Sequence, residues 1–233
     1  MTVHDMANSL YESLNARMEL LGITTWGVAD LNFARRAVKN PDEVLNVPSD
    51  RYTRAIVMGV RLQDDVVEQI KDRPTPLYFH HYKQANYFLD RAAFEIALLL
   101  QANGHAALAM PASQVISKDP MRGHVCHRTL GWAAGLGRRG RNNLLVHPLY
   151  GARMRYVSVL TDAPLEAGKP GDTTCGDCTA CAAACPAGAI HASAEDFDLK
   201  ACKAKLDEFV RMPFIGQHIC GVCVKACKGK AGK

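Results

Sequence analysis

Eight cysteines in the last third of the sequence have spacings that could bind metal clusters. Four of them form a C-x2-C-x2-C-x3-C run followed by proline: Cys175, Cys178, Cys181 and Cys185. A tight loop brings thiolates at positions i, i+3 and i+6 to three corners of one cubic iron–sulfur cluster, while the fourth cysteine points towards a second cluster. The run therefore predicts [4Fe–4S] chemistry, whose usual task is electron transfer.

A second cluster needs ligands of its own, and the remaining cysteines supply them. Another run has the spacing C-x2-C-x3-C, and Cys202 stands alone between the two runs. We expect cluster one to take Cys175, Cys178, Cys181 and Cys227. We expect cluster two to take Cys185, Cys202, Cys220 and Cys223. Each cluster then has four ligands and no cysteine of the two runs is left over.

Zinc and disulfides are the alternative uses of these cysteines, and the spacing favours them less. Zinc sites usually combine C-x2-4-C pairs with longer gaps rather than a four-cysteine run. Disulfides are rare in a reducing compartment. Cys126 lies apart from both runs, and we expect it to be a small buried hydrophobic residue.

Cysteine usage also predicts the domain organisation. Residues 1–174 contain one cysteine and residues 175–233 contain eight. The segment 164–171 is rich in proline and glycine, which interrupt regular structure, so it is a predicted linker. We place the boundary near residue 168, with a core domain over 1–168 and a cluster domain over 169–233.

The core domain shows alternating helix and strand patterns. Apolar residues recur at helical spacing over 6–21 and 85–100, and Gly22 and Gly104 are placed to end these helices. The predicted strands are 24–29, 55–60, 105–110 and 156–161. Strands separated by helices predict a layered α/β sandwich.

Composition excludes several classes of protein. Hydrophobic residues make up 48% of the chain and charged residues 22%, which is typical of a globular protein. No apolar run is long enough to span a membrane, and we read no secretory signal, so we expect a cytoplasmic location. The net charge of +5 is not arranged in a nucleic-acid-binding motif, so we expect no nucleic-acid partner.

A longer motif precedes the first cysteine run. It consists of AGLGRRGRNNLLVHPLYGARMR over residues 134–155, followed by VLTDAPL over residues 159–165. This order resembles the corrinoid-dependent iron–sulfur reductases, namely the epoxyqueuosine reductases and reductive dehalogenases. Their pattern is roughly AGLGxxGRNxLLxxPxYGxxxR, then TDxPL, then a double-cluster module. The likeness extends over about residues 120–227 and more loosely to LGITTWGV near the amino terminus.

The resemblance implies an α+β protein with a nitroreductase-like α/β sandwich core followed by a small bacterial-ferredoxin-like domain with two clusters. In the family, the core holds a base-off cobalamin. An external low-potential electron donor would then reduce the cobalt through the clusters, for reduction of a small molecule. Cluster potentials reach about −700 mV, which suits the strongly reducing Co(I) state. A bound flavin is the alternative cofactor.

The candidate cofactor contacts lie in the glycine-rich part of this motif: Gly137, Arg138, Gly140, Arg141 and Asn142. Backbone N–H groups and guanidinium groups there could bind a phosphate of a cofactor tail. The alternative is a loop that needs positive-φ residues to turn the chain. We expect the neighbouring His124, His127 and His147 to be hydrogen-bonded structural residues.

No catalytic residue is assigned from the sequence. Epoxyqueuosine reductases have a proton-donating aspartate in a V-D-x-x-P context, and Asp119 lies at a similar distance before AGLG but in the context S-K-D-P. Its role is left open. Two functions remain: an iron–sulfur reductase with a bound cofactor, or a ferredoxin-type electron carrier or redox partner without a substrate site. Since a carrier needs only about 55–60 residues, the additional core favours the reductase.

Overall fold

The structure, a computed structural model, describes residues 3–38, 45, 51–118, 121–172 and 174–230. It has two compact units. The first comprises Met1–Val60, Asn86–Leu136 and Arg155–Gly171, and the second comprises Arg61–Ala85, Gly137–Met154 and Asp172–Lys233. The segments 61–85 and 137–154 therefore belong to the same unit as the cysteine-rich segment. The division into a core domain over 1–168 and a cluster domain over 169–233 stays a prediction.

Eight strands form within the described residues. They are β1 (Thr25–Asp30), β2 (Arg54–Arg61), β3 (Ala107–Ala109), β4 (Ser117–Lys118), β5 (Met121–Arg122), β6 (Arg138–Arg139), β7 (Leu145–Val146) and β8 (Met154–Thr161). The main sheet has the order β1-β2-β8-β3, with β1 antiparallel to β2 and β3 antiparallel to β8. The pairs β4–β5 and β6–β7 form two small antiparallel sheets.

Burial along the main sheet follows the strand order. The central strands β2 and β8 have long continuous buried runs, whereas four of the six residues of β1 are only partly buried. A strand that is covered on both faces needs apolar residues at successive positions rather than alternate ones. The run Ala55–Met58, which is fully buried, supplies them in β2.

The helices have the following bounds: α1 (Val3–Leu21), α2 (Leu31–Arg36), α3 (Asp64–Glu68), α4 (Pro76–Ala102), α5 (His127–Ala133), α6 (Ala180–Ala184), α7 (Leu199–Phe209) and α8 (Val222–Ala226). The two long helices both end in the predicted way. Gly22 and Gly104 have φ of +74° and +83°. The Ile23 N–H donates to Met18 (3.0 Å), and the His105 N–H donates to Leu100 (3.0 Å). These bonds are those of a Schellman motif, which requires a left-handed residue.

The four strands and two long helices predicted for the core are confirmed, and the protein has mixed helix and sheet. The largest difference is at the start of α4, which begins at Pro76 rather than near residue 85. The strand β3 is also shorter than predicted, since it covers only Ala107–Ala109. The Thr75 hydroxyl accepts a hydrogen bond from the Tyr78 N–H (3.0 Å) and caps the start of α4. Residues 80–84 of this helix are histidine, tyrosine, lysine and glutamine, so the apolar pattern began only after them.

The core of the first unit lies against the inner residues of α1 and α4. Leu14, Met18, Leu89, Ile96 and Leu100 are all 0% or 1% exposed. Burying such a side chain stabilises the fold by about 1.5–3 kcal/mol. In the part of the chain that the structure describes, no helix is long and apolar enough to cross a membrane.

The second unit is built from short elements. It contains α3, the β6–β7 hairpin and the three helices α6, α7 and α8, together with the first turns of α4. Helices α6 and α8 pack against each other, and α8 also contacts α3. This unit carries the seven cysteines of the two runs and also Cys202.

Candidate metal centre

The cysteines of the two runs occupy equivalent positions about two short helices. In the first run, Cys175 and Cys178 precede α6, Cys181 lies in it and Cys185 is its C-cap. In the second run, Cys220 precedes α8, Cys223 lies in it and Cys227 is its C-cap. Cys202 lies in the first half of α7. That helix begins at Asp198, whose side chain accepts a hydrogen bond from the Ala201 N–H (2.9 Å).

Electrostatic interactions indicate which of these cysteines are neighbours. Cys227 interacts with the other three cysteines predicted for cluster one, which are Cys181, Cys175 and Cys178. Cys223 interacts with the other three cysteines predicted for cluster two, which are Cys220, Cys202 and Cys185, and also with Cys181. These neighbours agree with the two predicted ligand sets except for the interaction between Cys181 and Cys223, which crosses from one set to the other. That each set binds a cluster stays a prediction.

Burial makes these thiols weak acids. It raises the pKa of both Cys220 and Cys227 to about 11. Burial also raises the pKa of the Cys223, Cys202 and Cys181 thiols. A metal that binds such thiols must displace their protons, so binding would be coupled to proton release.

No disulfide forms, since all nine cysteines are free thiols. Among the described residues, no group of three or more His, Cys, Asp or Glu side chains is arranged to hold a metal ion.

Two glycines shape the cysteine loops. Gly176, between the first two cysteines, has φ of +58°, and Gly221, at the start of α8, has φ of +85°. A β-carbon at Gly221 would lie 2.6 Å from both Ile70 and Tyr78, so this position also lacks room for a side chain. Left-handed backbone favours glycine, and both loops therefore depend on it.

An ion network that sequence reasoning missed surrounds the end of α8. The Arg153 guanidinium, 4% exposed as a residue, donates to Asp64 (2.9 Å), to Glu68 (2.7 Å) and to the carbonyl of Lys225 (2.7 Å). Lys225 in turn donates to the backbone carbonyls of Glu68 (2.9 Å) and Ile70 (2.6 Å). These bonds tie α3 to the helix that carries Cys223 and ends at Cys227.

Glu68 is the shared acceptor of this network. Hydrogen bonds from Lys228 and Arg153 lower its pKa to about 2, so it is ionised throughout the physiological range. Arg153 lies inside the motif segment 134–155, but its partners are 85 and 89 positions away along the chain. No local pattern could have revealed such a pairing.

The predicted cofactor contacts lie in and beside the β6–β7 hairpin. A β-carbon at Gly137 would clash with the Val146 carbonyl, and one at Gly140 would lie 2.5 Å from Val146 and from the Asn142 side chain. Neither glycine has positive φ; among the motif's first three glycines only Gly135 does, at +81°. Gly137 and Gly140 are therefore needed for close packing of the hairpin rather than for its backbone angles.

The basic residues of the hairpin point to different partners. Arg138 donates to the Thr174 carbonyl (3.5 Å) and Arg141 to the Gly176 carbonyl (2.6 Å), while Arg139 pairs with Glu195 (3.4 Å). Arg138 and Arg141 thus contact the backbone of the first cysteine loop. Their binding to a cofactor phosphate stays a prediction.

The predicted structural histidines have hydrogen bonds in two of three cases. His127 contacts the Ser158 hydroxyl (2.9 Å) and the Pro111 carbonyl (3.0 Å). His147 accepts bonds from the backbone of Leu149 (3.2 Å) and Tyr150 (3.4 Å). The Nδ1 atom of His124 is buried without a partner among the described residues.

Two residues whose roles the sequence left open have different outcomes. Asp119 lies outside the described residues. Cys126 is half-buried rather than fully buried, and its sulfur accepts a hydrogen bond from Thr129 (3.2 Å). Burial raises the pKa of this thiol, but the Arg128 charge and the Thr129 bond outweigh burial and hold the pKa below its ordinary value.

The first unit contains a cavity of about 510 Å³. It lies between α1, β1 and the linker, and its lining includes Tyr11, Gly27, Ala134, Glu166 and Gly168. This volume is in the range of small-molecule sites. Of the residues that line it, only Ala134 belongs to the motif segment 134–155.

No protein-family model matches the sequence. An epoxyqueuosine reductase from Synechococcus sp. (strain RCC307) is 38% identical over 106 residues, which are 41% of this chain and 32% of the relative. The chain spans about a third or less of the length of the curated relatives it matches.

Solved structures share the fold over most of the chain. A reductive dehalogenase, whose structure is described as suggesting a mechanism for B12-dependent dehalogenation, has a TM-score of 0.73 at 21% identity; the match covers 93% of this chain and 31% of that one. The epoxyqueuosine reductase from Streptococcus thermophilus has a TM-score of 0.63 at 16% identity, over 96% of this chain and 66% of that one. The predicted resemblance to these two groups of proteins is confirmed.

Proposed function

We propose that this chain is an iron–sulfur oxidoreductase that passes electrons through two [4Fe–4S] clusters to a bound corrinoid for reduction of a small molecule. The observation that carries the proposal is the placement of the two cysteine runs at equivalent positions about α6 and α8, with Cys202 in α7. The relatives named epoxyqueuosine reductase and the reductive dehalogenase fold support the same chemistry. An external low-potential carrier would supply the electrons.

The donor sets fit iron–sulfur clusters. Thiolates are the ligands of [4Fe–4S] centres, with one at each iron. Four ligands at the corners of a cube stay farther apart than the ligands of a single ion, which surround one point at about 2.3 Å. Clusters would also replace the protons of the buried thiols and so remove the cost of ionising them without a partner.

The corrinoid is proposed from the relatives and from the additional core. The first unit would be the nitroreductase-like core, and the second would hold the ferredoxin-like cluster domain. A corrinoid would supply the reactive cobalt centre, while the chain binds it, orients it and excludes water. The cavity of about 510 Å³ in the first unit is a candidate site for the small molecule.

A ferredoxin-type electron carrier without a substrate site is the alternative function. One observation favours it: Gly137 and Gly140 are packed against their own hairpin, and Arg138 and Arg141 donate to the first cysteine loop. The two guanidinium groups therefore already donate some of the N–H groups that would bind a phosphate. A flavin remains the alternative cofactor for the reductase.

Spectroscopic titration of anaerobically purified protein tests the proposal. We expect about eight irons per chain, and we expect added cobalamin to give the base-off absorption spectrum. A parallel titration with a flavin tests the other cofactor. About four irons per chain would contradict the two-cluster proposal. If neither cofactor binds at tens of micromolar, the electron-carrier function replaces the reductase.

A further inference from the structure

Two hydrogen-bond donors in the loop between β6 and β7 are buried without acceptors. Within the described residues, neither the Nε atom of Arg141 nor the Nδ2 atom of Asn142 has a hydrogen-bond partner. Asn142 is 3% exposed, so water has little access to its side chain. Buried donors without a partner are costly and uncommon in folded proteins, so an acceptor is expected at this place.

The orientation of both side chains is fixed by their other contacts. The Oδ1 atom of Asn142 accepts a hydrogen bond from the Leu144 N–H (3.3 Å), and exchanging oxygen and nitrogen would lose this bond. The Nη2 atom of Arg141 donates to the carbonyl of Gly176 (2.6 Å). Gly176 lies between Cys175 and Cys178, so Arg141 is held against the loop that supplies three ligands of cluster one.

Arg141 also lies close to another cysteine predicted for cluster one, because the charge of its guanidinium acts on the Cys181 thiol. The contacts with Gly176 and Cys181 place this positive charge beside the cysteines predicted for cluster one.

We propose that Arg141 donates its Nε–H group to a sulfur atom of cluster one and raises the reduction potential of that cluster. The inference rests on the proposed function, since it requires the clusters. A four-iron cluster with four thiolates is negatively charged, and reduction adds one more negative charge. Cationic and N–H donors stabilise the reduced form more than the oxidised form, so the potential rises.

Redox titration followed by EPR spectroscopy tests the proposal. We expect Arg141→Gln to disfavour reduction of one cluster about tenfold, which is a midpoint about 59 mV lower for one electron. The other cluster should keep its midpoint. The control is Arg139→Gln, which removes the same charge two residues earlier, where the guanidinium pairs with Glu195. It should change neither midpoint.

The same substitution in a second variant protein identifies which cluster is affected. In Cys202→Ala protein, in which only cluster one is expected, Arg141→Gln should give the same tenfold effect. Unchanged midpoints in an Arg141→Gln protein that still holds about eight irons would overturn the inference and leave the proposed function intact. About four irons in the unsubstituted protein would instead contradict the proposed function. If Arg141→Gln loses iron, Arg141→Lys decides: a lower midpoint supports the Nε contact, and an unchanged one refutes it.

Discussion

The carbonyl oxygen of Cys227 occupies the space into which a β-carbon at Gly151 would project. Gly151 has φ of +61°, and the N–H of the next residue, Ala152, donates to the same carbonyl (3.0 Å). Two consecutive residues of the motif segment thus fix the backbone of the cysteine proposed as the last ligand of cluster one. Cys227 reaches its neighbours from the far end of the chain, so its position depends on this contact.

Replacing Gly151 with alanine should therefore impair cluster one selectively. The added methyl group must displace the Cys227 carbonyl, which moves the thiol away from the other ligands. We expect iron to fall from about eight towards about four per chain, with the EPR signal of cluster two retained. Gly22→Ala is the control, because Gly22 also has positive φ but a β-carbon there would meet no atom within 4 Å. Equal iron content in the two variants would contradict the prediction.

The sequence predicted the elements whose pattern is local. The buried run in β2 and the apolar stripe of α4 extend over many residues, and Gly22 ends its helix because only a left-handed residue completes that cap. The cysteine spacing likewise predicted which residues gather at α6 and α8. Each of these signals lies within a few turns of chain.

Features that depend on distant segments could not be predicted. The sequence around Arg153 contains no pattern that indicates an ion pair. Its carboxylate partners in α3 come close to it only in the folded chain. Gly137 was interpreted as a glycine of a turn or of a phosphate-binding loop. The folded chain adds a packing reason for glycine there, because a β-carbon would clash with the Val146 carbonyl. The two-residue strands β6 and β7 are too short to produce an alternating pattern.

Removing the guanidinium of Arg153 should destabilise the second unit. Arg153→Met keeps most of the side-chain length but loses the bonds to Asp64, Glu68 and the Lys225 carbonyl. Since both carboxylates remain partly exposed, we expect a loss of about 2 kcal/mol. For a chain of this size that corresponds to a thermal midpoint roughly 4–8 °C lower.

Arg17→Met is the matched control for this measurement. Arg17 forms a surface pair with Glu95 at 3.8 Å, and such pairs contribute about 0–1 kcal/mol. Its thermal midpoint should stay close to that of the unsubstituted protein. A midpoint as low as that of Arg153→Met would mean that the buried network contributes no more than a surface ion pair.

His127 should make stability depend on pH. Burial lowers its pKa from 6.5 to about 4, while the Pro111 carbonyl fixes the proton on Nε2. Between these two values the unfolded chain binds a proton that the folded chain does not. The free energy of unfolding should therefore fall as pH decreases from 6.5 to about 4, and this contribution should be constant above 6.5.

Thermal unfolding at about pH 7.5 and about pH 5.5 measures this effect. His127→Gln retains a donor for the Pro111 carbonyl and an acceptor for the Ser158 hydroxyl but does not titrate. Its midpoint should fall less between the two pH values than that of the unsubstituted protein. If both proteins lose the same amount, another group is responsible for the dependence.

Cys202 provides the sharpest test of how the eight cysteines are divided. It belongs to neither run, yet its thiol is acted on by Cys185, the cysteine at the end of α6. If it completes cluster two, Cys202→Ala should lose or convert that cluster, while cluster one keeps its EPR signal.

Cys126→Ala is the control for that substitution, because it also removes one free thiol but at a position in the first unit. It should retain both clusters and about eight irons per chain. Reduced Cys202→Ala protein that still showed two interacting [4Fe–4S]⁺ centres would place the fourth ligand of cluster two elsewhere. Loss of a cluster in Cys126→Ala would assign Cys126 to a ligand set and contradict the division into fours. The two variants together thus determine which cysteine completes the second centre.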